Sequence, residues 1–431
     1  MANVPPPRQP LRVQGTATAA FAGVQRLFEQ QMQSMAEHQA QLCVYHRGEV
    51  VVDLWAAPET DTSFNADSLI NIFSSGKSLE AVALAWLVDR GLLDYDAAIA
   101  DYWAAYADRG KQSTTVADLM RHEAGLANLQ QSLRIEDLTR DALKTNAVGR
   151  IIEQQAPYYA AGGRRAYHAL SRGWIANELF RRVDPAGRTI GEFLAEDVCA
   201  PLQADVMIGV PEAALARIAP VHALPLTYHL RESLRPQRAG RAVVHDFGQL
   251  MRRVMAIAPS ALKQPKPKPP PPFVGQRSLG VFNDPQFAMG ETPSANAHAS
   301  ARGLARLAAM LAAKGRLADR QILRETAWQR LHAKSLEEPM GGMLTTRFTQ
   351  GGVDVYQPCD ARTPPLQRDL NAGREGFYGW MGLGGSIFQW HPQLQLGFAF
   401  VPTRLHVLDF LNERGKRYQA EVLRCVPPDS V

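Results

Sequence analysis

The stretch SSGKSLEAVALAWLVDR, residues 74–90, is the most informative part of this chain. Its apolar residues recur at helical spacing and Gly91 follows as a stop signal, which predicts an amphipathic helix from Ser75 to about Arg90. Lys77 follows Ser74 by three residues, and this spacing places both side chains on the same side of a helix. The start of the helix is therefore a candidate for chemistry as well as structure.

Ser74 and Lys77 together could act as an activated nucleophile, in which Lys77 is the base for the Ser74 hydroxyl. The ammonium group would lie beside the positive end of a helix and against an apolar core, so its pKa should fall and the amine can accept the proton of the Ser74 hydroxyl. Ser75 is the competing nucleophile, but it lies two residues from Lys77 and points to a different side. Alternatively, Ser74 is only a helix N-cap, because Ser-x-x-Lys alone is a short motif.

Strand-like runs lie towards the two ends of the chain. Residues 41–57, QLCVYHRGEVVVDLWAA, predict a β-hairpin that turns at Gly48, and residues 385–403, GSIFQWHPQLQLGFAFVPT, predict two more strands. Residues 101–193 instead show helical patterns with polar interruptions. Strands at both ends, helices between them and no βαβ rhythm predict an α+β fold with a central antiparallel sheet.

The composition is that of an ordinary water-soluble globular protein. The 431 residues are 46% hydrophobic and 21% charged, and the formal net charge of +5 is not gathered into a basic, aromatic-rich run. These features argue against specific nucleic-acid binding, and no apolar stretch is long enough for a membrane span. The scattered cysteines match neither a zinc motif nor a disulfide framework, so we expect reduced thiols and no metal site. They are Cys43, Cys199, Cys359 and Cys425.

Two proline-rich segments are expected to lie outside the core. Residues 1–12 are predicted to be a leader, in which three consecutive prolines occur instead of the apolar core of a secretory signal. We therefore expect a cytoplasmic protein, with a mitochondrial or other organellar location as the alternative, because no acid precedes Glu29. Residues 263–272, KQPKPKPPPP, predict an exposed polyproline-like loop that could bind a protein partner.

Residues 63–126 resemble the serine β-lactamase and penicillin-binding-protein superfamily, in the class C-like branch that also holds family VIII carboxylesterases. Beyond Ser74 and Lys77, the resemblance rests on a Leu-x-x-x-Gly-x-Leu phrase that begins at Leu87 and on Leu-x-x-His-x-x-Gly-Leu from Leu119 to Leu126. Weaker matches extend from about residue 12 to the C-terminus. The resemblance implies a β-lactamase/transpeptidase-like fold without a cofactor.

The resemblance also implies a single composite domain, residues 13–431. Its sheet part would comprise about 13–70 and 300–431, and its helical part about 71–299. Ser74 and Trp380 would then meet in a cleft between the two parts, although they are far apart in the sequence.

The family's second chemical element is a Tyr followed two residues later by Asn, and Tyr167 in GRRAYHAL occupies that place. The resemblance implies that Tyr167 is a general base and acid that shares the serine proton with Lys77, and we expect its anion to be favoured there. Ala169 stands at the Asn position and removes an amide donor. His122 invites a general-base interpretation, but a packed structural histidine is preferred.

The family's third element is normally a cationic Lys-Thr-Gly or His-x-Gly motif, and Trp380-Met381-Gly382 stands in its place. Trp380 has one N–H donor and no charge, which suits a neutral ester better than the carboxylate of a β-lactam. The resemblance implies that Trp380, Gly382 and Leu383 bind the substrate. The N–H groups of Leu383 and Ser74 would form the oxyanion hole.

These observations predict a carboxylesterase-like serine hydrolase that acts through an acyl-enzyme on a small-molecule ester or amide. Two alternatives stay open. One is a non-catalytic scaffold or assembly protein with the β-lactamase fold, because fold does not guarantee activity. The other is a β-lactamase or D,D-peptidase, which ranks lower because Trp380 replaces the cation.

Overall fold

A nine-stranded antiparallel sheet forms the centre of the protein. The computed structural model describes residues 10–261, 268–276, 278–341 and 344–426. The strand order is β1-β3-β2-β9-β8-β7-β6-β5-β4, and the predicted α+β fold with a central antiparallel sheet is confirmed. In chain order the strands are β1 (Leu11–Ala17), β2 (Ala40–His46), β3 (Glu49–Pro58), β4 (Leu336–Met340), β5 (Leu344–Phe348), β6 (Asp354–Val355), β7 (Tyr378–Met381), β8 (Ile387–His391) and β9 (Leu396–Pro402).

The two ends of the chain meet in the middle of this sheet. Strand β2 pairs with β3 on one side and with β9 on the other, so that Leu42 lies opposite Phe400. The predicted hairpin between β2 and β3 turns at Arg47 and Gly48, whose φ angles of 53° and 83° suit the primed turns that match strand twist. Residues from the N-terminal part therefore need the C-terminal strands to complete their hydrogen bonding.

Helices cover both faces of the sheet and build the helical part. In chain order they are α1 (Ala22–Ser34), α2 (Lys77–Asp89), α3 (Val116–Met120), α4 (Arg140–Lys144), α5 (Ala147–Gln154), α6 (Ser171–Val183), α7 (Ile190–Phe193), α8 (Ala200–Leu202), α9 (Leu226–Ser233), α10 (Phe247–Ala261), α11 (Pro285–Met289), α12 (Ala301–Ala312), α13 (Glu325–His332), α14 (Pro365–Asn371) and α15 (Glu413–Cys425).

Alternation along the central strands divides the core into two layers. Leu42 and Phe398 pack with α1 and α15 on one face, whereas Cys43 and Ala399 join the core around α2 and α12 on the other. Helix α12 approaches β9 closely, because a Cβ atom at Gly397 would lie 2.4 Å from the Ala309 nitrogen. A larger residue at Gly397 would push this helix off the sheet.

Helix α2 connects the sheet part to the helical part. A 3-10 turn, Phe73–Gly76, precedes it, so the α-helix begins two residues later than the sequence predicts. All thirteen residues of α2 are buried, where an amphipathic helix was expected. The cause is packing on more than one side, since α2 contacts β7 as well as α6 and α13.

The segments expected outside the core are partly visible. Strand β1 begins at Leu11, so the last residues of the predicted leader belong to the sheet. The first half of the proline-rich segment, residues 263–267, lies outside the described residues. Its remaining part, 268–272, contacts the helical part where the Ser132 hydroxyl donates to the Pro271 carbonyl at 2.6 Å. Among the described residues, none of the helices has the length and apolar character needed to cross a bilayer.

Candidate active site

Ser74 is presented on a strained turn between the short strand Ile70–Asn71 and α2. Phe73 has a φ of 47°, a left-handed conformation that is costly for a bulky residue and that clusters at functional sites. The Asn71 side chain supports the turn by accepting a hydrogen bond from the Phe73 N–H at 2.8 Å. Ser74 is half-buried, whereas Phe73 and Ser75 on either side of it are buried.

Ser75 points away from the site, as its spacing from Lys77 predicts. Its hydroxyl lies 3.1 Å from the Ser386 hydroxyl, which donates to the Ile72 carbonyl at 2.6 Å. This buried hydroxyl chain ties the Ser74 turn to the segment that follows β7. The Ser75 hydroxyl is therefore buried in a structural contact, whereas Ser74 is partly accessible to solvent.

The Lys77 amine is fully buried next to Ser74. Its Nζ lies 3.5 Å from the Ser74 Oγ, and it donates to the carbonyls of Ala169 at 2.6 Å and Ser294 at 3.2 Å. Burial lowers the pKa of Lys77 to about 7, an effect that Glu80 opposes and Arg172 reinforces. The predicted fall in pKa therefore has burial as its main cause.

A buried ion pair beneath Lys77 was missed by sequence reasoning. Arg172 binds Glu80 at 2.8 Å, both side chains are fully buried, and the same guanidinium donates to the Lys77 carbonyl at 2.8 Å. The Glu80 carboxylate also accepts from the hydroxyl of Ser294, the residue whose carbonyl binds Lys77. The available signal was a glutamate within a largely apolar helix, since a buried charge requires a partner.

Tyr167 and Trp380 meet at the same site, from opposite parts of the chain. The Trp380 indole N–H donates to the Tyr167 hydroxyl at 3.1 Å, and the Tyr167 ring centroid lies 5.0 Å from the Lys77 Nζ. Burial raises the pKa of Tyr167, and hydrogen bonds with Ser74 and Trp380 offset this only in part. The expectation that its anion is favoured is therefore wrong, because desolvation outweighs the nearby donors.

The preferred interpretation of His122 as a packed residue is confirmed. Its ring is buried with its centroid 5.0 Å from that of Tyr167, and its Nδ1 accepts the backbone N–H of His168 at 3.1 Å. Burial lowers the pKa of His122 well below its ordinary value, so the ring is neutral. His168 in turn accepts the Leu126 N–H at 3.0 Å. The two histidines thus hold the loop that carries Tyr167 and His168 against residues 119–126.

The end of β7 closes the site opposite Ser74. Gly382 permits a close approach, since a Cβ atom there would lie 2.4 Å from the Ile72 carbonyl oxygen. The Ser74 N–H lies in the first turn of a 3-10 helix, and the Leu383 N–H lies in the turn that follows Gly382. Neither N–H has an acceptor among the described residues. They are available for a ligand oxygen. The indole N–H of Trp380, in contrast, is occupied by Tyr167.

Comparison with known proteins finds relatives that agree with the resemblance seen in the sequence. The chain is 29% identical over 411 residues to the esterase/β-lactamase LipL of Mycobacterium tuberculosis, covering 91% of this chain and 83% of that protein. It resembles the structure of a penicillin-binding-protein homologue from Caulobacter crescentus with a TM-score of 0.71 and 27% identity, over 96% of this chain and 100% of that one. A family VIII carboxylesterase structure matches with a TM-score of 0.73 and 26% identity, over the same shares of the two chains. The family model described as Beta-lactamase matches residues 24–421, and the chain therefore belongs to this family of hydrolases.

Proposed function

We propose that this protein is a carboxylesterase that cleaves esters through an acyl-enzyme on Ser74. The surroundings of the Lys77 amine carry the proposal. A neutral amine has two N–H donors and one lone pair, and the carbonyls of Ala169 and Ser294 accept two N–H groups. The lone pair is then left for the Ser74 hydroxyl at 3.5 Å. A Lys77 pKa of about 7 makes this neutral form accessible near neutral pH.

The proposed reaction uses each group once in acylation. Lys77 takes the hydroxyl proton as Ser74 Oγ attacks the ester carbonyl, and the N–H groups of Ser74 and Leu383 stabilise the oxyanion. Tyr167 keeps its proton at neutral pH, because its pKa is raised, and it delivers a proton to the departing alkoxide. Tyr167, now a phenolate, takes a proton from the water that attacks the acyl-enzyme, and Lys77 returns its proton to Ser74 Oγ as the carboxylic acid leaves.

The environment of Trp380 favours esters over β-lactams as substrates. The position at which the superfamily places a cation for the substrate carboxylate holds an indole, and its one N–H is donated to Tyr167. Substrate binding by Trp380, Gly382 and Leu383 then relies on apolar contact and backbone donors. The names of the relatives, a family VIII carboxylesterase and an esterase/β-lactamase, support an ester substrate.

The test compares Ser74→Ala with Ser75→Ala on short-chain p-nitrophenyl esters. Loss of the nucleophile should lower kcat by about a thousandfold or more, whereas Ser75→Ala should stay within about tenfold of wild type. A fluorophosphonate probe should label Ser74, as located by mass spectrometry of the labelled peptide. Labelling of Ser75, or full activity of Ser74→Ala, would refute the assignment. A wild-type protein that neither turns over esters nor reacts with the probe would favour the scaffold alternative.

A further inference from the structure

Residues 226–255, here called the basic segment, differ in charge from the rest of the chain. They contain six arginines and only two acids, Glu232 and Asp246, which gives a net charge of +4, whereas all 431 residues together have +5. The arginines are Arg231, Arg235, Arg238, Arg241, Arg252 and Arg253. The rest of the chain holds 41 Lys and Arg residues and 40 Asp and Glu residues, so four of the five net positive charges fall within these 30 residues.

Helix α9 of the basic segment exposes an apolar row. Leu226, Leu230 and Leu234 follow each other at intervals of four residues, and they are 58%, 40% and 67% exposed. Residues at this spacing lie on the same side of a helix. Leu226 and Leu230 lie in α9, and Leu234 is its C-cap residue. Scattered exposed leucines are common on protein surfaces, but three in a row form a patch.

Helix α10 exposes a second apolar group. Phe247, Val254 and Met255 are 41%, 39% and 71% exposed. The two helices contact each other, and their inner sides meet at a small cavity lined by His229, Ser233 and Leu250. The exposed apolar residues of the two helices are thus not covered by the contact between α9 and α10.

Several arginines of the basic segment are free to bind an external anion. Arg231, Arg238 and Arg252 are exposed, and none of them forms an ion pair within the described part of the chain. Arg235 and Arg253, in contrast, pair with carboxylates of the protein. Unpaired arginines beside exposed leucines are the combination found on surfaces that adsorb to membranes.

The basic segment is held firmly on the body of the protein. Its His245 lies 3.6 Å from the buried Asp409, and Arg253 donates to Glu413 at the start of α15 at 2.9 Å. Outside the segment, the Ala36 N–H donates to the Ala242 carbonyl at 3.0 Å, and within it the Ala242 N–H donates to the buried Glu232 at 3.0 Å. The segment that carries the apolar and basic side chains is therefore anchored to the rest of the fold.

We propose that the basic segment is a docking surface for an anionic lipid bilayer. The leucines of α9 and the apolar residues of α10 enter the headgroup region, and Arg231, Arg238 and Arg252 bind lipid phosphates. An acidic protein would satisfy the arginines but would leave six apolar side chains to be explained separately. A bilayer accounts for both features, and interfacial binding draws on apolar burial and electrostatic attraction together. The proposal does not depend on the hydrolase assignment.

The test is co-sedimentation of the full chain with vesicles of phosphatidylcholine, with or without about 30% phosphatidylglycerol. We expect binding to the anionic vesicles, weaker by about tenfold or more when salt rises from about 0.05 M to about 0.3 M. The triple variant Arg231→Gln/Arg238→Gln/Arg252→Gln should bind about a hundredfold more weakly. The double variant Leu234→Ser/Met255→Ser should lose about tenfold.

Matched controls separate the surface from general charge and hydrophobicity. Arg109→Gln/Arg150→Gln removes two exposed arginines of the helical part, and Met289→Ser removes an exposed apolar side chain elsewhere. Both should bind as wild type does, and thermal melting should show that all variants are folded. Equal binding to neutral vesicles, no binding at all, or equal losses in the controls would overturn the proposal. The proposal would also be overturned if Leu234→Ser/Met255→Ser changed self-association, measured by sedimentation velocity, but did not change vesicle binding.

Discussion

At the scale of single residues, the properties of Lys77 follow from where its amine is buried. Two carbonyl oxygens and a serine hydroxyl surround the Nζ, while the carboxylate of Glu80 faces Arg172. The amine thus has hydrogen-bond acceptors but no ion pair of its own among the described residues. A neutral amine is satisfied by such surroundings, whereas an ammonium group is penalised by the loss of water.

This environment predicts a pH profile for ester hydrolysis. Burial lowers the pKa of Lys77 to about 7, so the reactive neutral amine is depleted below that pH and predominant above it. We expect kcat/KM to rise through a midpoint near pH 7 and then to level off, as measured with p-nitrophenyl acetate in buffers of constant ionic strength.

The variant Glu80→Gln gives a second test of the role of Lys77. The Glu80 carboxylate raises the pKa of Lys77, so its neutralisation should move the midpoint to lower pH. The variant also leaves the buried Arg172 without its partner, which should reduce the free energy of unfolding by about 3–5 kcal/mol. A midpoint that shifts to higher pH would contradict the proposed role of Lys77.

At the scale of elements, strand β7 and the Tyr167 loop meet through one hydrogen bond. Trp380 on β7 and Tyr167 in the helical part are 213 residues apart in the sequence, and their side chains lie 3.1 Å apart. The bond fixes the phenol oxygen as an acceptor and leaves its own proton free to be donated. In the proposed reaction, the indole positions Tyr167 as the acid, a role that differs from direct substrate binding.

The variant Trp380→Phe tests this positioning role. Removal of the N–H should lower kcat by about threefold to tenfold, the effect of one neutral hydrogen bond, and should change KM less. The matched control is Trp390→Phe on β8, which loses an equivalent buried bond to His332 of 3.0 Å. An unchanged kcat in Trp380→Phe, or an equal fall in the control, would contradict the role.

Some features of these elements could be predicted from the sequence, and others could not. Strands β2, β3, β8 and β9 and the Ser74 and Lys77 pair were predictable, because hydrophobic period and short spacing are local properties. The direction of the Trp380 N–H and the burial that raises the pKa of Tyr167 were not, because both depend on contacts between distant segments. The pairing of Glu80 with Arg172 is likewise set only when α2 and α6 pack together.

At the scale of the whole molecule, a buried charge cluster joins the two ends of the chain. Arg414 at the start of α15 is fully buried and pairs with Glu37, which precedes β2, and with Asp409. Its guanidinium also donates to the carbonyl of Gly384, next to Leu383. The cluster therefore links the central strands to the turn that carries a proposed oxyanion donor.

Removal of this cluster should destabilise the entire fold. Arg414→Met would leave two buried carboxylates without their guanidinium, and we expect the free energy of unfolding in urea to fall by about 3–5 kcal/mol. Arg424→Met removes a mostly exposed guanidinium from the same helix and should change it by about 0.5 kcal/mol or less. Similar changes in the free energy of unfolding for the two variants would show that the buried cluster contributes no more to stability than an exposed ion pair does.

The pairing of β2 with β9 has a consequence for biosynthesis. Translation produces β2 and the apolar helix α2 long before the ribosome reaches β9, at residues 396–402. The nascent chain must therefore carry a central strand with one unpaired edge and a largely apolar helix through most of its synthesis, a state that invites aggregation and chaperone binding. Chains released early, before β9 is made, would lack the partner of β2 and could not complete the sheet.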